Sequence, residues 1–404
     1  MGDGRQPLVS VVVVSYNGLD LLPACLDSVL DQDFPRGQYE VLVMDNASQD
    51  GSAEFVEANY PGVRLMRLDR NNGPCEAIHR ALVHMRGQFL AYINQDAVAH
   101  RRWLAELVEV ITAHPRAGLV ESNMILPQWP EYDVRQRDEL VERAYVCDLT
   151  PLGVHDFRVV RVTPATPPIP VLSAYGAGCI VNPAVIEKLG YWLDSDFFAY
   201  FDDIDLGLRL NAADYQVLLA PRSVVYHHTD WHFKWDRRSL RRAFLSTRNM
   251  FLAFYKISYA SELVALAPRL MLGKLLKAGQ LSGSLLGRAA YALAATPMLL
   301  VGLAAALWRM PAYRGRRALT LSVRKKERGW LTEALLNPGW KPDPAIWWAP
   351  LDGQTAARVA RRRPAAGEAF HDEGGALVPI TGAELPDEVG GRPTGAPGPP
   401  GSWA

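Results

Sequence analysis

Acidic residues appear in this sequence where an apolar or aromatic setting ordinarily excludes them, and those are the positions with chemistry to offer. In "YINQDAVAH", Tyr92 to His100, an apolar run ends in Asp96 between an amide and small residues. A carboxylate placed there is either a loop residue or a ligand for a hard divalent cation. In "DSDFFAYFDDIDLGLRL", Asp202, Asp203 and Asp205 follow Phe197, Phe198, Tyr200 and Phe201, so large aromatics flank the acids and favour a buried-edge site. His227 and His228 end the apolar run "SVVYHH", either as polar edge residues or as imidazoles offered to an ion. Asp45 closes "YEVLVMD", where capping of the next helix is the plain alternative to a ligand role.

The elements that must position these residues follow from periodicity. "LVSVVVV" (Leu8 to Val14) is apolar and β-branched, as suits a strand buried on both faces of a parallel sheet. Leu22, Leu26 and Val29 recur at helical spacing, and "YEVLVMD" (Tyr39 to Asp45) completes a βαβ unit. The alternation continues through a helix after "DNASQDGS", a short strand near "VRLMRL", a helix over Pro74 to Met85 and a strand over Gln88 to Asn94. A doubly wound α/β fold binds ligands at the C-terminal ends of its strands. Polar residues collect there: Ser15, Tyr16 and Asn17; Asp45 and Asn46; Asn71, Asn72 and Gly73; Asn94, Gln95 and Asp96. No GxGxxG follows the first strand, which removes the main support for a dinucleotide oxidoreductase.

Composition narrows the class. The 404 residues are 49% hydrophobic, enough for one large domain or two smaller ones. Lys+Arg and Asp+Glu are equal at 43 each, so the overall charge offers no hint of nucleic acid as a partner. Cys25, Cys75, Cys147 and Cys179 are widely spaced, without a CxxC pair or a secretory-type N-terminal segment, and read as core residues of a cytoplasmic protein.

"VSVVVVSYNG", "VLVMDNASQDGS", "RNNGPCEAIHRAL", "YINQDA", "GAGCIVN", "YFDDIDLGLRL" and "VVYHH" stand in the order and spacing of the inverting, family 2 glycosyltransferases. The likeness runs roughly from Leu8 to Tyr255 and resembles most the rhamnosyltransferase-like branch that builds bacterial surface polysaccharides. It implies an α/β, GT-A-type doubly wound mixed sheet that binds a nucleotide-diphosphate sugar, with Mg²⁺ or Mn²⁺ as cofactor. By the same resemblance, Asp45 accepts a hydrogen bond from a pyrimidine and Ser15, Tyr16 and Asn17 contact base and ribose. Asn46, Asn72, Gly73, Asn94 and Gln95 complete the donor-binding set. Asp96 binds the metal with His228, or with His227 in its place; Val98 stands where some relatives carry a second carboxylate. Asp203 is the general base, ionised at pH 7 on the reference value of about 3.9, and Asp202 supports it. Asp205 either favours its helix N-terminus or pairs with Arg209. Arg248 and Asn249 resemble an Arg-Asn pair that follows the histidines in relatives.

Downstream, Trp231, Phe233, Lys234 and Trp235 interleave with basic residues that continue through Arg237, Arg238, Arg241 and Arg242, a pattern suited to a diphosphate or lipid head group. Met124 to Val171 lacks a clean period and reads as an extended connection or acceptor-side insertion. Ala289 to Trp308 carries no charge, and at about 1.5 Å per residue a helix of that length just crosses a hydrocarbon core of about 30 Å. A span, an in-plane amphipathic hairpin and a buried helix pair all remain open. The basic run from Arg309 to Arg328 matches a membrane-surface patch. The organisation expected is a transferase domain over 1–258, membrane-associated helices over 259–330, and a C-terminal extension over 331–404 that is disordered from about 364. The function expected is inverting, non-processive, metal-dependent sugar transfer to a lipid-linked or polysaccharide acceptor at the cytoplasmic face of the cell membrane. The alternative is a catalytically silent nucleotide-sugar-binding subunit. A processive synthase lacks support, since no QxxRW motif occurs.

Overall fold

The computed structural model describes residues 7–127, 141–228, 237–279 and 285–336, with the backbone of 370–372 and 377–379. In chain order the N-terminal half contains β1 (Val9–Ser15), α1 (Leu22–Leu30), β2 (Tyr39–Asp45), α2 (Ser52–Asn59), β3 (Arg64–Arg67), α3 (Pro74–Ala81) and β4 (Phe89–Asn94). Then follow β5 (Ala97–Ala99), α4 (Trp103–Ala113), β6 (Ala117–Ile125), β7 (Arg143–Leu149), β8 (His155–Arg161) and β9 (Ile169–Pro170). The second half adds β10 (Gly178–Val181), α5 (Pro183–Glu187), α6 (Asp202–Ala212), β11 (Gln216–His227), α7 (Arg237–Ile257), α8 (Ala260–Gly279), α9 (Leu285–Arg309), α10 (Arg314–Val323) and α11 (Trp330–Leu335).

The main sheet runs β3-β2-β1-β4-β10-β6-β11-β5. β3, β2, β1 and β4 are parallel, β10 lies antiparallel between β4 and β6, and β11 returns parallel to β6. This is the mixed α/β sheet that the alternating pattern implies. Val9, Val11, Val12 and Val13 are fully buried, as expected of a strand covered on both faces. All four cysteines are free and buried.

The middle region is more regular than its sequence suggests. β7 and β8 form an antiparallel hairpin in which Tyr145 opposes Val159 and Cys147 opposes Phe157. Its turn uses Gly153 at φ +67°, and residues 128–140 lie outside the described set. Trp231 to Trp235 also lie outside it. In the C-terminal extension, Phe370–Asp372 and Leu377–Pro379 (β12 and β13) pair as a short antiparallel ladder within the stretch expected to be disordered.

Helix α6 carries the acidic cluster in its first turn, so the acids expected in a turn are helical. Two features fix its position. A Cβ on Gly207 would come within 2.8 Å of Ser173 Cα, so glycine lets α6 pack directly on the backbone leading to β10. Beneath the acidic turn, Asp205 accepts from Arg209 Nε at 2.9 Å and pairs with Lys256 Nζ at 2.8 Å, while Lys256 also reaches Asp194 at 2.7 Å. Both carboxylates and the lysine are completely buried. The Arg209 pairing was one of two roles legible in sequence; Lys256 and Asp194 are the additional partners.

Helix α9 packs along α7 and α8. Among the described residues one stretch, Ala292–Val323, is long and apolar enough to cross a membrane. Of its most apolar window 22% is buried. Its second half is tied to the loop before α6 and to the end of α7: Arg316 reaches Asp194 and Asp196, Arg309 reaches Asp196, and Arg317 donates to the Tyr255 and Ser258 carbonyls. Arg324 pairs with Glu262 and Lys326 with Asp214. Much of the basic run is therefore engaged within the chain.

Asp205→Asn should cost about 3–5 kcal/mol in equilibrium urea unfolding, because it leaves buried cations without their carboxylate. A loss of about 1 kcal/mol, the size of a helix-terminus effect alone, would show that the buried pairing does not operate.

Candidate active site

The ends of β1, β2 and β4 and the segment after β3 converge as the sheet dictates, with Ser15 beside Asp45 across the first strand pair. Several expected donor-binding residues build this floor. The Tyr16 N–H donates to Gln95 Oε1 at 2.9 Å and Gln95 Nε2 returns a bond to the Tyr16 carbonyl at 3.1 Å. Asn17 adopts φ 45°, donates its N–H to Ser48 Oγ and accepts from the Gln49 N–H. Asn46 donates to Asn71 Oδ1 and accepts from the Asn72 N–H. Three buried polar atoms in the same region have no partner: Ser15 Oγ, Asp45 Oδ1 and Asn72 Nδ2. A buried polar atom left unpaired costs about 1–3 kcal/mol, so three at converging strand ends mark a ligand surface. Asp45 also accepts from the Ser48 N–H at 3.2 Å, so the capping contact and an open carboxylate oxygen coexist.

Asp96 lies at the sheet edge where β5 meets the end of β11. His227 Nε2 is 3.1 Å from Asp96 Oδ1 and 3.2 Å from Asn94 Nδ2. His228 contributes its main chain, donating its N–H to the Asp96 carbonyl at 2.6 Å. Of the two histidines expected near the ion, His227 thus brings its ring to the carboxylate. Burial works to raise the Asp96 pKa, but the charge and hydrogen bond of His227 outweigh it and hold the carboxyl below its ordinary value. Among the described residues no group of three or more His, Cys, Asp or Glu gathers for a metal. One carboxylate beside one imidazole is a donor set that fits Mn²⁺ or Mg²⁺ when diphosphate oxygens and water fill the remaining positions.

Asp203 lies in the first turn of α6. Its Oδ2 accepts from the Gly176 N–H at 2.8 Å and its Oδ1 from the Ile204 N–H at 2.8 Å. Burial, then the neighbouring Asp202 charge, pushes its pKa up to about 7 despite these bonds. The reference value assumed from sequence therefore understates its basicity. Asp202 is raised too, chiefly by burial, and its carboxylate meets the Cys75 thiol. Asp205 is held low by Lys256 and Arg209 against the effect of burial. Three neighbouring aspartates thus have three separate environments: one structural anion and two raised acids.

The turn presenting Asp203 is strained. Phe198, Tyr200 and Phe201 have φ of 64°, 69° and 71°, a region that bulky residues avoid and that costs on the order of 1–3 kcal/mol each. Asn249 Nδ2 lies within hydrogen-bond reach of the Phe197, Ala199 and Tyr200 carbonyls, and Arg248 donates to those of Asp196 and Phe197. This gives the Arg-Asn pair a positioning role. Gly73, at φ +85°, sits so close that a Cβ would fall 2.2 Å from the Phe198 carbonyl oxygen, so the donor loop and the acidic turn touch there. Sequence reasoning missed Glu121, a buried acid in β6 that accepts from the Tyr175 N–H. Its signal was a charge inside the apolar strand "AGLVESNMI".

With this geometry in view, comparison with known proteins is specific. Residues 10–139 match the family described as glycosyl transferase family 2, and residues 89–311 match glycosyl transferase family group 2. The chain belongs to the family 2 glycosyltransferases. It is 27% identical over 205 residues to N-acetylglucosaminyl-diphospho-decaprenol L-rhamnosyltransferase of Mycobacterium tuberculosis, covering 46% of this chain and 66% of that protein. It is 33% identical over 109 residues to the glycosyltransferase AglE of Haloferax volcanii, covering 26% of this chain and 36% of that one. The fold resembles that of GalNAc-T7 solved with UDP, GalNAc and Mn²⁺, at a TM-score of 0.51 and 15% identity, over 77% of this chain and 58% of that one.

Asn249→Ala should lower stability by about 1–3 kcal/mol in chemical denaturation, since it strips the amide donor from carbonyls of a strained turn. A change within about 0.5 kcal/mol, typical of a surface substitution, would mean that the turn holds itself.

Proposed function

We propose that this protein transfers a sugar from a nucleotide-diphosphate sugar to a lipid-linked or glycan acceptor in cell-surface glycan synthesis, by a single inverting displacement. The observation that carries this reading is the close approach of the strand-end loop at Gly73 to the acidic turn at Phe198. Unsatisfied Ser15 Oγ, Asp45 Oδ1 and Asn72 Nδ2 lie at the strand ends, and a carboxylate of raised pKa, Asp203, lies just beyond that turn in α6. The named substrate of the mycobacterial relative, a diphospho-decaprenol, supports a lipid-linked acceptor.

In this reading Asp45 and Ser15 bind the base and ribose, and Asn72 reaches toward the diphosphate. Asp96 and His227 hold the divalent cation, which when bound neutralises the diphosphate leaving group. Asp203 takes the proton from the acceptor hydroxyl as its oxygen forms the new bond to the anomeric carbon and the nucleoside diphosphate departs. The Gly176 N–H aims the carboxylate, and Asp202 keeps its basicity high by like-charge proximity. One transfer per binding event is expected.

The membrane half of the reading rests on α9. Leu286, Leu293, Leu300 and Leu307 recur every seven residues and are all exposed, with Val301 and Trp308 beside them. An in-plane hairpin is favoured over a span, because the arginines at the end of α9 and in α10 are fastened to the catalytic region. Contact with the cytoplasmic leaflet through this stripe would hold the cleft near a lipid-borne substrate.

Titration calorimetry with UDP, GDP and dTDP, with and without Mn²⁺, tests the donor side. Asp96→Ala should abolish the metal dependence of nucleotide affinity, and an unchanged metal response would make Asp96 a strand-end residue only. With the nucleotide sugar that binds, Asp203→Asn should keep donor affinity yet lose transfer by at least about 10²-fold. Full transfer by that variant would remove Asp203 as base, and binding with no transfer by the wild type would favour a silent subunit.

The base works only when deprotonated, so wild-type turnover should fall as pH drops through about 7 and level off above it. An acid limb near pH 4 in the pH–rate profile would contradict a desolvated base.

A further inference from the structure

Helix α8 carries two lysines at the C-terminal end of its inward stripe. Its inward stripe runs Leu266, Leu270, Gly273 and then Lys274 and Lys277, whereas Leu272 and Leu276 on the opposite side are 48% and 51% exposed. A helix covering a soluble core places leucines inward and lysines in water. Here the two lysines are half-buried against the catalytic half of the molecule. Lys274 Nζ donates to Ser246 Oγ at 3.1 Å and lies 5.5 Å from the centre of the Phe201 ring, the residue just before Asp202 and Asp203. Lys277 Nζ donates to the His155 carbonyl at 3.0 Å, and the His155 ring packs 5.8 Å from that of Tyr175, whose neighbour Gly176 binds Asp203. Lys274 therefore reaches the turn that precedes Asp203 through Phe201, and Lys277 reaches the segment that binds Asp203 through His155 and Tyr175.

We infer that Lys274, supported by Lys277, binds the phosphate ester of a lipid-linked acceptor and so sets the acceptor's hydroxyl against Asp203. This rests on the transferase reading and adds the acceptor-side residues to it. Among the described residues no carboxylate pairs with Lys274, and a half-buried ammonium without one calls for an anion. Burial, and then Lys277, lower the Lys274 pKa to about 7, which a bound phosphate would reverse. Burial and both lysine charges depress His155 to about 3, so it stays neutral, while Asp156 is the acid that acts on Lys277. The outward leucines of α8 and the leucine stripe of α9 are both exposed, on helices that pack together. A lipid tail can thus lie along the outer faces while its charged head reaches the inner ones.

The test uses the full chain in a non-ionic detergent with farnesyl diphosphate as probe and farnesol as its phosphate-free control. EDTA is present so that the Asp96 metal site does not capture the diphosphate. Wild type should bind farnesyl diphosphate and not farnesol. Lys274→Met, which keeps the bulk of the stem, should weaken binding about tenfold or more, the loss of one charge-assisted bond, and Lys274→Arg should restore most of it. Metal-dependent UDP, GDP or dTDP affinity should be the same in all three proteins. Equal probe affinity in wild type and Lys274→Met, or no binding by wild type, overturns the subsite. Equal binding of farnesol overturns it as well, by showing that the tail alone is recognised. If no nucleotide binds but the lysine dependence of the probe persists, the transferase reading fails while the phosphate subsite stands.

Discussion

The structure depends on charges buried together beneath the acidic turn. Lys256 from α7 stands between Asp194 and Asp205, Arg209 closes on Asp205 from one helical turn away, and Arg316 from α10 reaches Asp194 from outside. Such a group adds little net stability relative to a well-packed apolar core, but any single partner removed leaves a charge stranded. Its consequence is geometric. The first turn of α6, the loop before it and the C-terminal helices share one anchor. The strain in Phe198, Tyr200 and Phe201 persists because that anchor and Asn249 over-determine the turn.

The same constraint separates roles among identical side chains. Asp205, two residues from Asp203, is compensated by Lys256 and Arg209 and stays an anion. Asp203 receives only backbone N–H groups and a neighbouring acid, so its proton is held more tightly. Neutral hydrogen bonds on one carboxylate and salt bridges on the other set the proposed base apart from the anchor.

Much of this was legible in the sequence where a local rule applied. The buried parallel strands follow from β-branched runs such as "VSVVVVS", and polar residues at strand ends follow from the α/β architecture. The pairing of Asp205 with Arg209 is an i,i+4 relation and could be written down directly. What stayed hidden depends on distant parts of the chain. Lys256 meets Asp194 across sixty-two residues, the β7–β8 hairpin sits beside a stretch without period, and the raised basicity of Asp203 comes from burial that no reference pKa contains. The ion pairs of the basic run after α9 were hidden for the same reason: composition shows its charge, whereas its partners Asp194, Asp196, Glu262 and Asp214 lie elsewhere.

The central claim is that folding makes Asp203 a base of unusual strength. The direct measurement is a carbon-13 NMR titration of the full chain carrying carboxyl-labelled aspartate, with the Asp203 resonance assigned by its disappearance in Asp203→Asn. A midpoint of about 7 is predicted. A midpoint near the ordinary value of about 4 would contradict a desolvated base at the head of α6.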